Sequence, residues 1–409
     1  MLRSMSTAIT ALNLNQDFLD TVANNLANAN TTGYKSSRVM FQDQFSQLLS
    51  PGGGPSATLG GVDPTQIGLG AKLGMISPVF TQGALQNTGR NLDLAVQGDG
   101  FFVYDQGGNQ RYSREGAVEM DATGFMVNAS TGLHLQGWSA DPVTGLVNTN
   151  ANPSNIQIDT NRTLANPTAN ATFGGNLSSN TPLTAPDNTV TTTMGIYDSL
   201  GNPTTATVVF TRTNATDWTW NVTDPAGSAG DGTITFTPAG QYNTSSVVNA
   251  VNIPGGTGAA AIAPVLDMSK VTQLAMGNSA AVTTQDGLAA GTVSDVFVTP
   301  NDGKVMLVYS NGMQKQVAQV ALARFSNPTG LMRSGNTMFE QGLNSGSPQI
   351  GTAGTGGRGT IAAGYLESSN VDMAQEFTNM ILAQRCFQAS SRVITTSDQI
   401  LQELVALKQ

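Results

Sequence analysis

The chain has 409 residues, of which 27 are acidic and 18 basic, and only 11% are charged. A net charge of −9 argues against nucleic acid and anionic membrane surfaces, which need clustered Lys and Arg. Cys386 is the one cysteine, which excludes an internal disulfide, and no apolar run is long enough to span a bilayer. The polar surface must come from Asn, Thr, Ser, Gln and Gly, which repel a second copy weakly. Subunits that pack on their own kind share this composition, and so do secreted β-rich proteins.

The first segment, "MLRSMSTAITALNLNQDFL", is interrupted by polar residues and lacks a small-residue cleavage site, so it does not read as a secretory signal. The expectation is a protein that stays in the cytoplasm or leaves by a route that keeps its N-terminus. Residues 4–29 read as a helix. Met5, Leu12, Leu19 and Leu26 recur every seventh residue, and Ala8, Val22 and Ala29 occupy the companion position with Asn15 as its polar break. This is a heptad seam. A helix of that length is marginal alone in water, so the seam predicts a partner. Asn24, Asn25, Asn28 and Asn30 mark its end, where amide side chains can serve the backbone groups of adjacent chains. Gly33 predicts a turn with positive φ, and Tyr34 begins a connector.

The long middle of the chain reads as β. Residues 92–127, 205–240 and 295–325 contain short apolar or alternating runs broken by Gly-Asp-Gly, Asn-Asp-Gly and Ser-Asn-Gly turns. Connectors rich in Pro, Gly and Asn near 51–61, 148–170, 253–264 and 344–360 suggest nesting. Residues 71–145 and 281–360 are expected to form one β-rich domain, with 146–280 a second inserted in it. Residues 370–408 read as a second helix. Met373, Met380, Phe387, Ile394 and Leu401 fall every seventh residue, Phe377, Ile381, Leu404 and Val405 widen the stripe, and "SSNVD" at 368–372 offers N-caps. The expected fold is α+β and multidomain. The terminal helices pair as a coiled coil, residues 1–70 and 361–409 form one terminal domain, and nested β-rich domains lie between.

No pattern predicts catalysis. A single histidine, His134, rules out a His cluster for a metal. "GTAGTGGRGT" at 351–360 lacks the Lys-Ser/Thr ending of a phosphate loop and reads as a flexible connector. Asp93, Asp99, Asp105, Glu115, Glu119 and Asp121 read as solvated carboxylates, and Trp138, Trp218 and Trp220 as strand core rather than sugar-stacking residues.

Three stretches carry a resemblance. "ANNLANANTTGYK" at 23–35, "LDLAVQGDGFFV" at 92–103 and the helix-rich 364–408 are similar to the bacterial flagellar rod and hook axial proteins. "MGIYDSLGNP" at 194–203 and residues 309–348 resemble hook-type members rather than the shorter rod-type ones. The resemblance implies a structural subunit of the flagellar hook, with no enzymatic activity and no cofactor. It would self-assemble as a homopolymer into a curved tube that transmits motor torque as a universal joint. The alternative is a distal rod or other axial subunit. The implied partners are a distal rod protein, a hook cap protein, a hook–filament junction protein and the flagellar type III export apparatus. The implied location is the hook outside the cell, reached without signal cleavage. The family signature then comprises Asn24, Asn25, Asn28, Asn30, Gly33 and Tyr34.

Overall fold

The computed structural model describes residues 2–55, 60–141, 144–225 and 227–406, apart from the side chains of Leu2, Arg3, Ser228 and Leu404. The chain forms two compact units. One comprises residues 1–158, 296–306 and 316–409, and the other residues 159–295 and 307–315.

The first unit holds both helices, α1 (Leu2–Ala27) and α2 (Met373–Ala406). Helix α1 stops where the amide-rich turn begins: the Asn28 N–H is shared between the carbonyls of Asn24 and Asn25. Helix α2 starts on Asp372, whose carboxylate accepts from the N–H groups of Ala374 at 2.9 Å and Gln375 at 3.1 Å. These donors have no partner inside the helix, and a carboxylate there also meets the positive end of the helix dipole. The helices lie against each other. Their direction is antiparallel, because Asn25 near the end of α1 bonds Glu376 in the first turn of α2.

Between α1 and the β body runs a hairpin absent from the sequence expectations. Ser37–Asp43 pairs antiparallel with Ala71–Pro78, and Ser46–Ser50 continues the ribbon against Thr65–Gly68. Phe41 of the hairpin meets Phe18 of α1 edge-on at 6.0 Å. The returning chain then pairs with the outgoing chain twice, Leu85–Asn87 with Tyr365–Glu367 and Leu94–Gln97 with Thr360–Ala363. The adjoining sheet, with strands Phe101–Gln106, Asn109–Ser113, His134–Ser139, Leu322–Arg324 and Met338–Glu340, surrounds an aromatic core. Phe101, Tyr112, Trp138, Phe325 and Phe339 are buried there. Phe80–Phe101 and Tyr112–Phe325 are T-shaped pairs at 5.3 and 4.8 Å, an arrangement that sets ring edges against ring faces.

The second unit contains a five-stranded antiparallel meander in chain order, Thr189–Tyr197, Pro203–Arg212, Asp217–Asp224, Gly227–Phe236 and Tyr242–Asn249. A three-stranded sheet accompanies it, with Asn170–Asn176 central between a parallel Val265–Thr272 and an antiparallel Ala281–Gln285. Every second residue of the Asp217–Asp224 strand turns inward at first, which buries Trp218, Trp220 and Val222 on one face. All three tryptophans are core residues. The "YDSLGN" stretch is a structural turn: the buried Asp198 accepts from the N–H groups of Leu200, Asn202 and Gly256 and from the Asn202 side chain. Those donors, the Asn202 amide foremost, hold its carboxyl below the ordinary value of 3.8.

Candidate functional site at the junction of the chain ends

The signature residues converge where α1, α2, the hairpin and the β body meet. Asn25 is 1% exposed and its amide is saturated within the chain. Its Nδ2 donates to the Ser37 carbonyl at 2.8 Å and to Glu376 at 3.1 Å, and its Oδ1 accepts from the Ser37 N–H and the Tyr34 hydroxyl. One side chain thus ties the end of α1 to the start of α2 and to the hairpin. Asn28 bridges Asn24 and Thr31 within the helix-ending turn, while Asn24 and Asn30 are exposed.

Gly33 has φ +68° and donates its N–H to the Glu367 carbonyl at 2.7 Å. A Cβ there would lie 2.6 Å from the Glu115 nitrogen, so both the conformation and the space require glycine. Tyr34 is buried, and the Arg333 guanidinium stacks over its ring at 5.0 Å while donating to the Lys35 carbonyl. Such stacking adds attraction between cation and ring.

Behind this turn lies an ion cluster that sequence reasoning did not find. Lys35 and Glu367 form a pair at 2.7 Å with both side chains at 0% exposure. Glu367 also accepts from the Gly83 N–H at 2.8 Å and faces Arg114 at 3.5 Å. Lys35 completes its shell on the Thr81 carbonyl, and Arg114 on the Gly98 carbonyl. Burial lowers the pKa of Lys35 and of Arg114, and the Glu367 charge opposes that in each. The one carboxylate therefore serves two buried cations from three chain segments. Asn370 works alongside it, accepting from the Ser36 N–H and donating to the Val79 carbonyl. The only signal for this cluster is the "GYK" lysine, and its partner lies 332 residues away.

Among the seam residues, Val22 is buried, and Met5, Leu12, Leu19, Leu26, Met380, Phe387, Ile394 and Leu401 are half-buried. Other buried positions of the two helices are Ala8, Leu14 and Ala383, with the polar Ser397. Outside that contact the helices keep apolar surface: Phe377, Ile381 and Leu382 are each more than half exposed. The hairpin is similar, with Phe45 84% exposed and Leu48 and Leu49 about half. Two acidic residues expected to be solvated are buried instead. Asp93 accepts from Thr88 at 2.6 Å and Glu115 from Thr337 at 2.8 Å. Cys386 is half-buried on α2, and His134 packs edge-on against Phe125 at 4.6 Å. The junction is a clamp built of hydrogen bonds and buried ions. No helix is long and apolar enough to cross a membrane among the described residues.

Four family models match the chain: Flagella basal body rod protein at residues 5–35, Flagellar hook protein FlgE/F/G D1 domain at 95–171, Flagellar basal body protein FlaE D2 domain at 164–288 and Flagellar basal body rod FlgEFG protein C-terminal at 362–407. The chain is 34% identical to the flagellar hook protein FlgE of Borreliella burgdorferi, with all of both chains covered. It is 32% identical to FlgE of Salmonella typhimurium over 99% of this chain and all of that one. Among solved structures it is similar to the flagellar hook protein FlgE2 of Helicobacter pylori, with a TM-score of 0.48 and 14% identity over 69% of this chain and all of that one. The full-length identity to FlgE places this chain in the flagellar hook protein family.

Proposed function

We propose that this chain is the structural subunit of a flagellar hook, many copies of which assemble into a curved, flexible tube that passes torque from rod to filament. One observation supports this reading above the rest. Helix α2 leaves Phe377, Ile381, Leu382, Val393 and Ile400 exposed to water on two of its faces. A monomer exposes these side chains at a cost, and burial against further copies recovers about 25 cal/mol per Å².

In this reading the terminal helices pair as a coiled coil and line the tube's inner wall. Asn25 and Glu376 bond each other between the helices and Ser397 of α2 is buried, polar groups that keep the isolated pair weak. Both ends are then unstructured before assembly and order on polymerisation. Residues 1–70 with 361–409, 71–145 with 281–360, and 146–280 are the nested segments of the subunit. Weakly charged β surfaces supply contacts between copies that exchange with water at small cost, so the tube bends. Export is through the flagellar type III apparatus without signal cleavage. Rod, cap and junction proteins meet the tube at its ends.

The test is electron microscopy of purified protein under polymerising conditions, with a chain lacking residues 1–30 as control. Curved tubes from the full chain and none from the control are expected. Straight, rigid tubes would point to a rod subunit, and a full chain that stays monomeric with protected termini would overturn the reading.

A further inference from the structure

The glycine-rich stretch 351–360 is not a slack connector. Its first residue closes a strand, Gln349–Gly351, that pairs with Leu322–Arg324, and the Gly359 N–H donates to the Asp99 carbonyl. The stretch wraps two guanidinium groups. A Cβ on Gly351 would lie 2.2 Å from Arg358 Nη2, and one on Gly357 would lie 2.8 Å from Arg324 Nη1. Arg358 is satisfied by the Thr352 carbonyl at 3.0 Å and Thr355 Oγ1 at 2.8 Å. Arg324 is not: among the described residues no acceptor or carboxylate bonds its guanidinium. Its electrostatic neighbour is the like-charged Arg358.

Arg324 lines a concavity of about 180 Å³ with Arg114, and Phe80, Phe101, Phe325 and Pro328 wall it. Arg114 is 2% exposed and its Nε has no partner. Asp99 also lines it, exposed, and its charge acts on Arg114 without a contact ion pair. Lys35, Arg114, Arg324 and Arg358 thus stand against only Glu367 and Asp99, in a chain whose acids outnumber its bases 27 to 18. Charges drawn together and partly desolvated are unfavourable until a counter-charge joins them. The volume suits one carboxylate and its short stem, and the rings suit the stem's methylenes.

We propose that this arginine-walled concavity receives a carboxylate side chain from a second copy of the chain. The inference rests on the assembly reading above, and the acidic excess of the chain makes its own copies the matching source. Arg324 supplies the fork for a paired hydrogen bond, which lysine reproduces only as a point charge.

The test compares full-length wild type, Arg324→Gln and Arg324→Lys by sedimentation, measuring the critical concentration for assembly across a salt series. Near-UV circular dichroism monitors the fold of each monomer. Arg324→Gln is expected to raise the critical concentration by about ten- to a hundredfold and to flatten its salt dependence, with Arg324→Lys between. A photo-crosslinking residue at Ser326, with Arg324 intact, should join peptides containing Asp or Glu of another copy. This second arm stands even if the glutamine variant fails to fold. Wild-type assembly with an indifferent Arg324→Gln, or crosslinks only within one copy, overturns the docking site and leaves the assembly reading intact. A wild-type chain that never assembles overturns both.

Discussion

Glu367→Gln should destabilise the first unit more than Lys35→Met, although the two residues form one ion pair. Among the described residues, the carboxylate is the one anion in contact with both buried cations. Removing its charge leaves Lys35 on the Thr81 carbonyl and Arg114 on the Gly98 and Val96 carbonyls, with no carboxylate in contact and only the exposed Asp99 acting on Arg114 from farther off. The glutamine keeps the shape and an acceptor for Gly83, so the loss isolates charge. Breaking a buried pair from one side costs about 3–5 kcal/mol. Lys35→Met leaves Glu367 with Arg114 and the Gly83 N–H, and its cost is about 1–3 kcal/mol, that of a lost charged hydrogen bond. Adding Lys35→Met to Glu367→Gln should recover part of the larger loss, because one stranded cation is gone. The assay is native-state hydrogen exchange in the paired strands Leu94–Gln97 and Thr360–Ala363. A loss of about 3–5 kcal/mol reads there as two to four decades of protection. The pH response supplies a sign check. Lys35 already has a folded pKa below its ordinary 10.5, so the unfolded chain binds more protons in that interval. Stability of the glutamine variant should therefore rise as pH climbs toward 10.5. Equal costs for the two single variants, or a double variant worse than Glu367→Gln, would refute the shared-anion account.

Asn25→Ala should cost about 1–3 kcal/mol in thermal unfolding of assembled material, since it strips the Ser37 N–H and carbonyl, the Tyr34 hydroxyl and Glu376 of one partner. Asp198 has a lowered pKa, so its contribution is present above its unfolded value of 3.8 and is lost as pH falls through the folded one. Asp198→Asn should remove that acid-side loss for the second unit, as followed by tryptophan fluorescence from Trp218 and Trp220. Ile381→Ser, at a position 59% exposed, should abolish or weaken assembly in a sedimentation assay and leave monomer unfolding within about 0.5 kcal/mol of wild type.

The parts of this architecture written in local chemistry were legible in the sequence. The amide turn after Ala27, the Asp372 cap and the alternation that buries Trp218 and Trp220 each depend on neighbours within a few residues. The hairpin was not legible, because its strands Ser46–Ser50 and Thr65–Gly68 are exposed on both faces and so lack an inside-outside rhythm. Side-chain size also misleads about closeness. Ala8 and Asn25 are buried while Leu12, Leu19 and Leu26 are half-buried, because the tightest approach admits small or hydrogen-bonded groups. The Lys35–Glu367–Arg114 cluster depends on contacts across hundreds of residues, and a lone Glu near a helix start carries no mark of it. The glycines of 351–360 show the converse. They are needed by the arginines they cover, which composition alone reads as slack.

The double strand pairing between the outgoing and returning chain sets an order of events. Bringing Thr88 to Gly364, 276 residues away, costs about 5 kcal/mol of closure entropy for a free chain. Strand pairing in the β body bears that cost once, and afterwards α1 and α2 are separated by short tethers rather than by the whole sequence. An incomplete polypeptide lacks the returning strands and cannot make this closure, so its first helix stays unmatched. Meeting of α1 and α2 therefore waits on the strands Thr360–Ala363 and Tyr365–Glu367, and a polypeptide stopped short of them holds its first helix without its mate.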